Sequence, residues 1–543
     1  MANKNIRSLS FRKEFEPNLF ESISDLASKN GADKQFKNLA QEFLLGEAVV
    51  FGTSSFYDFT KEENRLKKIH ICNGSACLTS RTQNKLLQEV KNYFSEEEIG
   101  HVSCLGHCHS NASLMYKGQT YSIQNDDELN QILTQKSVSN NSYYIGNDSN
   151  QVLTGSAIEN LKDFFGLLNS YYNQPQSIIS ELKNSNLRGR GGAGFPFWFK
   201  LDSVSKENNY QQKYIVCNAD EGDPGAYSDM YLLEKQPYKV LFGMYTAGIA
   251  VGADTGVLYI RGEYPSAINT IIKAIQLLDN QNITPQFKWK VIEGQGAYIC
   301  GEETALLNSI EGLRPEVRVR PPYPTNYGLF GKPTVLSNVE TFANIHWILE
   351  NSGLEYSKIG TIKSSGTKLI SLDSHFVRPG IYEITMGTPL SAVIEQFGLG
   401  FNKSIKAVQI GGPLGGIVPV SKLTELTLDF ESFQDQGFLL GHASFVCIPT
   451  DFPMIHYLRH LWRFVADESC GKCFPCRIGS QRGYELIDKA IHENYKIDHQ
   501  LFNDLLATLA SGSLCALGGG IPLPIQNALD YFEAELKDYF TNI

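Results

Sequence analysis

Apolar residues near the start of the chain recur at three- and four-residue steps: Phe15, Leu19, Ile23, Leu26, Phe36, Leu39 and Phe43. That period puts them on one face of short amphipathic helices, so residues 1–60 are expected to form a small bundle. From Lys68 the text changes to a short apolar strand and a cysteine loop, "KIHICNGSACLTS". Helical "SRTQNKLLQEVKNYF", then "HVSCLGHC" and "SLMYKGQTYSI", complete a strand, loop and helix unit over residues 61–135. Residues 136–158, rich in Ser, Asn and Gly, read as a linker. Between 159 and 350, helical stretches alternate with strands such as "KYIVCNA" and "VLYIRGEY", the signature of an α/β layer. Short alternating runs around "AVQIGGPLGG" predict a small β-rich module over 351–440, and helical periodicity returns over 441–543. No solenoid period is present.

A chain of 543 residues exceeds one hydrophobic core, and three or four domains are expected. With 42% hydrophobic and 20% charged residues the composition is globular. The formal charge is −10, and no Lys/Arg stripe appears, which excludes the electrostatic footprint of a nucleic-acid binder. The opening "MANKNIRSLSFRKEF" lacks the apolar core of a secretory signal. The most apolar stretch, Val240 to Ile260, is interrupted by Gly243, Gly248, Gly252, Asp254 and Gly256 and reads as helix, turn and strand, not a membrane span. A cytoplasmic protein is expected.

In that compartment the eleven cysteines are expected to ligate metal, not to pair as disulfides. Eight fall in two sets. Cys470, Cys473 and Cys476 make C-x₂-C-x₂-C, with Cys515 as a distant fourth. Three thiolates on one tight turn suit three corners of a [4Fe–4S] cubane better than zinc, which favours paired knuckles. Cys72, Cys77, Cys104 and Cys108 form a second four-thiolate set, compatible with [2Fe–2S] or zinc. His107 lies inside that loop, but four thiolates suffice without it. Cys217, Cys300 and Cys447 sit in apolar text and are expected to be buried small side chains.

"LRGRGGAGFPFWFK" satisfies G-x-G-x-x-G through Gly189, Gly191 and Gly194. The text before it reads as helix where the dinucleotide fingerprint needs a strand, so a Rossmann unit is not supported. A glycine-dense loop still exposes amides to a phosphate, with Arg190 and Lys200 as counter-charges; the alternative is a plain flexible loop. "NADEGDPGAYSD" packs four carboxylates into a short loop, suited to solvation, to a hard metal or to polar recognition of a ribose. "GQGAYICGEETAL" sets glycines before a helix start that carries Glu302 and Glu303.

Taken in order, "LRGRGGAGFP", "NADEGDPGAY", "AYICGEETAL", "GKPTVLSNVET" and "ESCGKCFPCRIG" resemble the flavoprotein subunit that oxidises NADH in respiratory complex I. They equally resemble its soluble relatives in NAD-linked hydrogenases and formate dehydrogenases. The first 150 residues, with "VVFGTSSFYDF", resemble the thioredoxin-like [2Fe–2S] subunit of the same assemblies, so two family subunits are fused. The resemblance implies an α/β multidomain fold: a helical and thioredoxin-like [2Fe–2S] part, an α/β FMN- and NAD-binding domain, a β-grasp-like module and a helical [4Fe–4S] domain. It implies FMN held by Gly189, Arg190, Gly191, Gly192, Lys200, Asn218, Asp220, Glu221, Tyr298, Gly301, Glu302, Glu303 and Asn338. It implies NAD(H) contacted by Phe195, Asp223, Glu303, Arg320 and Tyr323. Two positions depart from the family: Asp202 stands where an aromatic is expected, and "DPGAY" replaces the complex I wording. The partner implied is the catalytic subunit of a formate dehydrogenase, favoured on "CRIGS", or of a soluble [NiFe] or electron-bifurcating [FeFe] hydrogenase, with further iron–sulfur subunits; the alternative is the NADH dehydrogenase of a complex I-like assembly. The rival readings are a flavin-free electron relay and a structural-zinc binding module.

Overall fold

Leu19–Ala27, Ala32–Glu42 and Glu47–Ser54 are the first three helices of the computed structural model, which describes residues 15, 18–27, 29, 32–123, 125–134 and 142–541. The periodic residues Leu19, Ile23, Phe36, Leu39 and Phe43 turn inward with Val50. The bundle is seated on the α/β part: Phe20 meets Tyr57 and Tyr259, and Tyr57 donates to Ser309 Oγ at 2.8 Å.

Strands β1 (Ile69–Cys72), β2 (Ile99–Val102), β3 (Ser113–Tyr116) and β4 (Gln119–Ser122) form a sheet of order β2-β1-β3-β4. The β1/β2 pair is parallel and the others antiparallel. Helices Thr82–Val90 and Asp126–Leu133 lay Leu86, Val90, Leu129 and Ile132 on Ile69 and Ile71. Both cysteine loops of this unit leave the ends of β1 and β2.

Residues 136–141 of the expected linker lie outside the described residues. Beyond them the linker reading needs correcting, because Tyr144–Asn147 is a strand, β5, parallel to a later strand. An edge strand needs only its backbone to pair, so its polar composition concealed it.

Strands β6 (Tyr214–Ala219), β7 (Thr255–Ile260), β8 (Lys288–Glu293) and β9 (Thr334–Asn338) make an all-parallel sheet of order β8-β7-β6-β9. Helices cover it, and β7 is buried along its whole length, as strands of a parallel sheet are. Strands β10 (Thr367–Leu372), β11 (Gly380–Thr385), β12 (Ile405–Ile410), β13 (Gly416–Pro419) and β14 (Ser444–Pro449) join β5 in a mixed sheet ordered β13-β12-β14-β10-β11-β5. This corrects a second expectation: β14 lies within 441–543, expected to be helical, yet runs through the middle of this sheet. Its residues are buried throughout, so it lacks the alternation that marks a strand in sequence. Helices Met454–Glu468, Phe474–His492, His499–Gly512 and Pro522–Tyr531 then pack around Trp462, Leu461 and Phe502. No helix among the described residues is long and apolar enough to cross a membrane.

Candidate functional site

In an open parallel sheet the crevice lies beyond the carboxyl ends of the strands, where the connections diverge. Here the chain runs from β6 to β7 and β8 on one side, while β9 joins on the other. The divergence therefore falls between β6 and β9, whose last paired residues are Asn218 and Asn338. Asn218 Nδ2 donates to the Gly301 carbonyl at 2.8 Å and its Oδ1 accepts from Asp220 N at 3.1 Å. Asn338 Nδ2 donates to Asp229 at 2.6 Å, and its Oδ1 caps the helix Val339–Ala343.

The glycine loop closes over this point. Helix Pro175–Asn184 precedes it, and Gly189 N to Phe195 O at 2.8 Å and Phe197 N to Leu187 O at 3.1 Å tie it into an arc. Gly192 (φ +121) and Gly194 (φ +60) take backbone conformations that disfavour side chains. At Gly191 a Cβ would stand 3.0 Å from Asn338 Cβ, and at Gly301 one would stand 3.4 Å from the Asp220 carbonyl. Loop, strand ends and the turn before helix Glu303–Ile310 thus line one space.

Charge around that space is ordered. Lys200 Nζ donates to Glu303 at 3.1 Å and to the Leu336 carbonyl at 3.0 Å, and Arg320 reaches Glu303 at 2.7 Å. Burial pushes the Glu303 carboxyl up, but Lys200 and Arg320 outweigh it and hold it below its ordinary range. Glu302 caps the helix, accepting from Thr304 N and Ala305 N at 2.9 Å each. Tyr298 donates to Asp223 at 2.7 Å, and Asp220 Oδ2 is enclosed with no hydrogen-bond partner among the described residues. Burial lifts the Asp220 and Asp223 carboxyls above their usual range. At the rim Phe195, Phe199 and Tyr323 are exposed, with the two phenylalanine rings 5.8 Å apart edge to face.

Two residues implied as flavin contacts also make other bonds. Arg190 is fully buried, its Nη2 donating to Tyr356 Oη at 3.1 Å and Ser365 O at 2.6 Å, while its Nε and Nη1 have no hydrogen-bond partner among the described residues. Glu221 accepts from Asp229 N, Met230 N, Ser228 Oγ and Tyr264 Oη, capping the helix Ser228–Lys235. Spacing placed both in the right loops; only packing decided where their side chains go.

None of the eleven cysteines is in a disulfide, and Cys217, Cys300 and Cys447 are buried. Cys72, Cys77, Cys104 and Cys108 are buried together, with Cys104 Sγ 3.6 Å from Cys108 Sγ. Gly74 N and Gly106 N each stand 3.4 Å from a cysteine sulfur, of Cys72 and Cys104 respectively. Cys470, Cys473 and Cys476 wrap the start of helix Phe474–His492, and Cys515 begins the helix Ala516–Gly520. A Cβ on Gly518 would sit 3.0 Å from Cys476 Sγ, so only a bare backbone brings this segment so near. Burial first, then Cys470 and Cys476 beside it, push the Cys515 thiol up to about 12. Four thiols in each set, with amides aimed at sulfur in the first and Ser469 Oγ 3.3 Å from Cys476 Sγ in the second, fit an iron–sulfur cluster at each.

A family model described as the Nuo51 FMN-binding domain matches residues 182–347. One described as the NADH-ubiquinone oxidoreductase-F iron-sulfur binding region matches residues 456–539. The NADP-reducing hydrogenase subunit HndC of Solidesulfovibrio fructosivorans is 40% identical over 388 residues, covering 69% of this chain and 79% of its own. An NADH-quinone oxidoreductase subunit of Escherichia coli is 35% identical over 385 residues, covering 68% of this chain and 86% of its own. The chain belongs to the family of NADH-oxidising flavoprotein subunits. It is an FMN- and iron–sulfur-dependent NADH oxidoreductase subunit. The flavoprotein subunit also matches the crystal structure of an NAD⁺-reducing [NiFe]-hydrogenase, with a TM-score of 0.83 at 26% identity over 96% of this chain and 93% of that one.

Sequence reading of this flavoprotein subunit missed Glu468 and His442. Glu468 accepts from Ser103 Oγ at 2.5 Å and from Tyr298 N at 2.9 Å, joining the first cysteine set, the crevice and the second set. His442 lies against Asp229 and Glu221. The only signal for Glu468 was its place two residues before Cys470.

Proposed function

We propose that the flavin phosphate lies on the Gly189–Gly192 arc with Lys200 as counter-charge, and the isoalloxazine between Asn218, Asp220, Tyr298, Gly301 and Asn338. The supporting observation is the convergence of the arc, the ends of β6 and β9 and the start of helix Glu303–Ile310 on one space. Bound FMN supplies the conversion of two-electron hydride chemistry into single-electron transfer. The chain's own part is positional. Glu303, fixed by Lys200 and Arg320, presents a charged carboxylate at the mouth, and Asp223 is oriented by Tyr298.

The nicotinamide dinucleotide enters across the rim, its adenine against Phe195 and Phe199 with Tyr323 nearby. Asp202, at the family's aromatic position, pairs with Lys206 at 2.5 Å and offers no stacking face. Phe199 takes over that role, being exposed beside Phe195. Cys470, Cys473, Cys476 and Cys515 hold the [4Fe–4S] cluster. Cys72, Cys77, Cys104 and Cys108 hold a [2Fe–2S] cluster in a thioredoxin-like domain, and β10–β14 serve as the β-grasp-like module.

The chain works with a catalytic partner in the cytoplasm. The expectation of formate dehydrogenase rested on "CRIGS" alone, whereas relatives of this chain include hydrogenase subunits beside NADH-quinone oxidoreductase subunits, and a hydrogenase catalytic subunit is the partner proposed. Anaerobic isolation of the native complex with metal analysis tests this. Nickel, or iron in excess of the clusters, supports a hydrogenase; molybdenum or tungsten returns the assignment to formate dehydrogenase. A purified chain without the FMN absorbance would overturn the crevice assignment.

A further inference from the structure

The turn "RGEY" after β7, Arg261 to Tyr264, touches both the N-terminal cysteine loop and the acidic loop of the crevice. Arg261 and Glu263 are buried, at 3% and 4% exposure. Arg261 Nη2 donates to the Cys104 carbonyl at 2.6 Å, and Nη1 donates to the Glu221 carbonyl at 2.5 Å. Nη2 and Nε also meet Glu263, at 2.9 and 3.3 Å. Tyr264 packs beneath the guanidinium, 4.9 Å from its carbon to the ring centre, and its hydroxyl donates to Glu221 Oε2 at 3.0 Å. Gly106, at φ +79 between Cys104 and Cys108, lies so close that a Cβ would stand 2.6 Å from Tyr264 Cε1.

Removing a guanidinium and a carboxylate from water is expensive, and a neutral amide can also hold carbonyl oxygens. Neither carbonyl needs a full charge. A four-thiolate [2Fe–2S] centre, however, is an anion that gains one more negative charge on reduction. A fixed cation at its ligand loop, in a medium that screens poorly, favours the reduced form.

We propose that Arg261 is a positioning residue that raises the reduction potential of the N-terminal cluster and, with Tyr264, braces the cluster's loop against the flavin crevice. This rests on the assignment of Cys72, Cys77, Cys104 and Cys108 to a [2Fe–2S] centre. The reduction concerned moves one electron, supplied by NADH through the flavin, onto the cluster, with no bond broken. Glu263 opposes the effect and keeps the interior neutral.

The test is an EPR-monitored redox titration of the anaerobically purified full chain, with the [4Fe–4S] signal as internal reference. Arg261→Gln is expected to lower the [2Fe–2S] midpoint. At the wild-type midpoint its reduced-to-oxidised ratio falls about tenfold, equivalent to about 59 mV for one electron. Arg261→Lys keeps the charge and most of the potential, and Glu263→Gln shifts it upward. The double variant R261Q/E263Q leaves no unpaired charge buried and shifts downward by less than R261Q. It keeps the test available if the single variant fails to fold. A midpoint unchanged or raised in R261Q, or in the double variant where R261Q does not fold, overturns the inference and leaves the cluster assignment standing. A wild-type chain with no [2Fe–2S] signal overturns the assignment and the inference together.

Discussion

Glu383 Oε2 accepts both the amide and the hydroxyl of Thr154, at 2.7 and 2.6 Å, across more than two hundred residues of chain. Its other oxygen takes Val152 N and Leu153 N at 2.8 Å each, while Lys239 holds the carbonyls of the same three residues. The stretch that reads as linker is thus clamped between a buried carboxylate and an ammonium. Glu383→Ala orphans these donors and is expected to cost about 3–5 kcal/mol, read as a lower denaturation midpoint.

Cys515 is the proposed remote ligand of its set. Cys515→Ser is expected to abolish or convert the [4Fe–4S] EPR signal and leave the [2Fe–2S] signal intact. NADH oxidation by an artificial acceptor that draws electrons from the flavin is expected to persist. An unchanged four-iron signal would remove Cys515 from the ligand set.

Phe199 is about half exposed, its ring edge to face with Phe195 and Trp198. Base-on-aromatic stacking contributes about 1–3 kcal/mol, so Phe199→Ala is expected to raise KM for NADH roughly tenfold with kcat little changed. Steady-state kinetics decide it; an equal fall in kcat would place Phe199 in a different role.

His442 carries a pH signature. Burial opposes its charge, but Asp229 above all, and Glu221, outweigh burial and Lys368 and raise it from 6.5 to about 9. The native state keeps a proton that the unfolded chain releases near 6.5. The stabilisation is therefore full below that pH and lost as pH rises through about 9, at most about 3 kcal/mol. Glu221, raised by burial from 4.5 to about 7, works in the same direction, its share being lost between those values. Thermal midpoints measured from roughly pH 6 to pH 10 are expected to fall, and His442→Gln to flatten the alkaline part.

Local spacing made the two sets of four cysteines and the glycine arc legible in sequence. Ligands a few residues apart on one turn, or glycines that must pass φ values closed to other residues, leave a pattern that needs no tertiary context. The early helices were legible for the same reason, since Leu19, Ile23 and Phe43 repeat at the helical period. The order of motifs along the chain was likewise enough for the family. Tertiary structure alone decided the register that sets Asn218 beside Asn338, the bond of buried Arg190 to Tyr356 and Ser365, and the use of Glu221 as a helix cap. It also decided that β5 and β14 belong to one sheet, and that Arg261 and Glu468 reach the first cysteine loop. Apart from the Glu221 cap, which reaches eight and nine residues along the chain, these are pairings between segments far apart in sequence, made by backbone groups or long polar side chains, and neither carries a hydrophobic period that announces its partner.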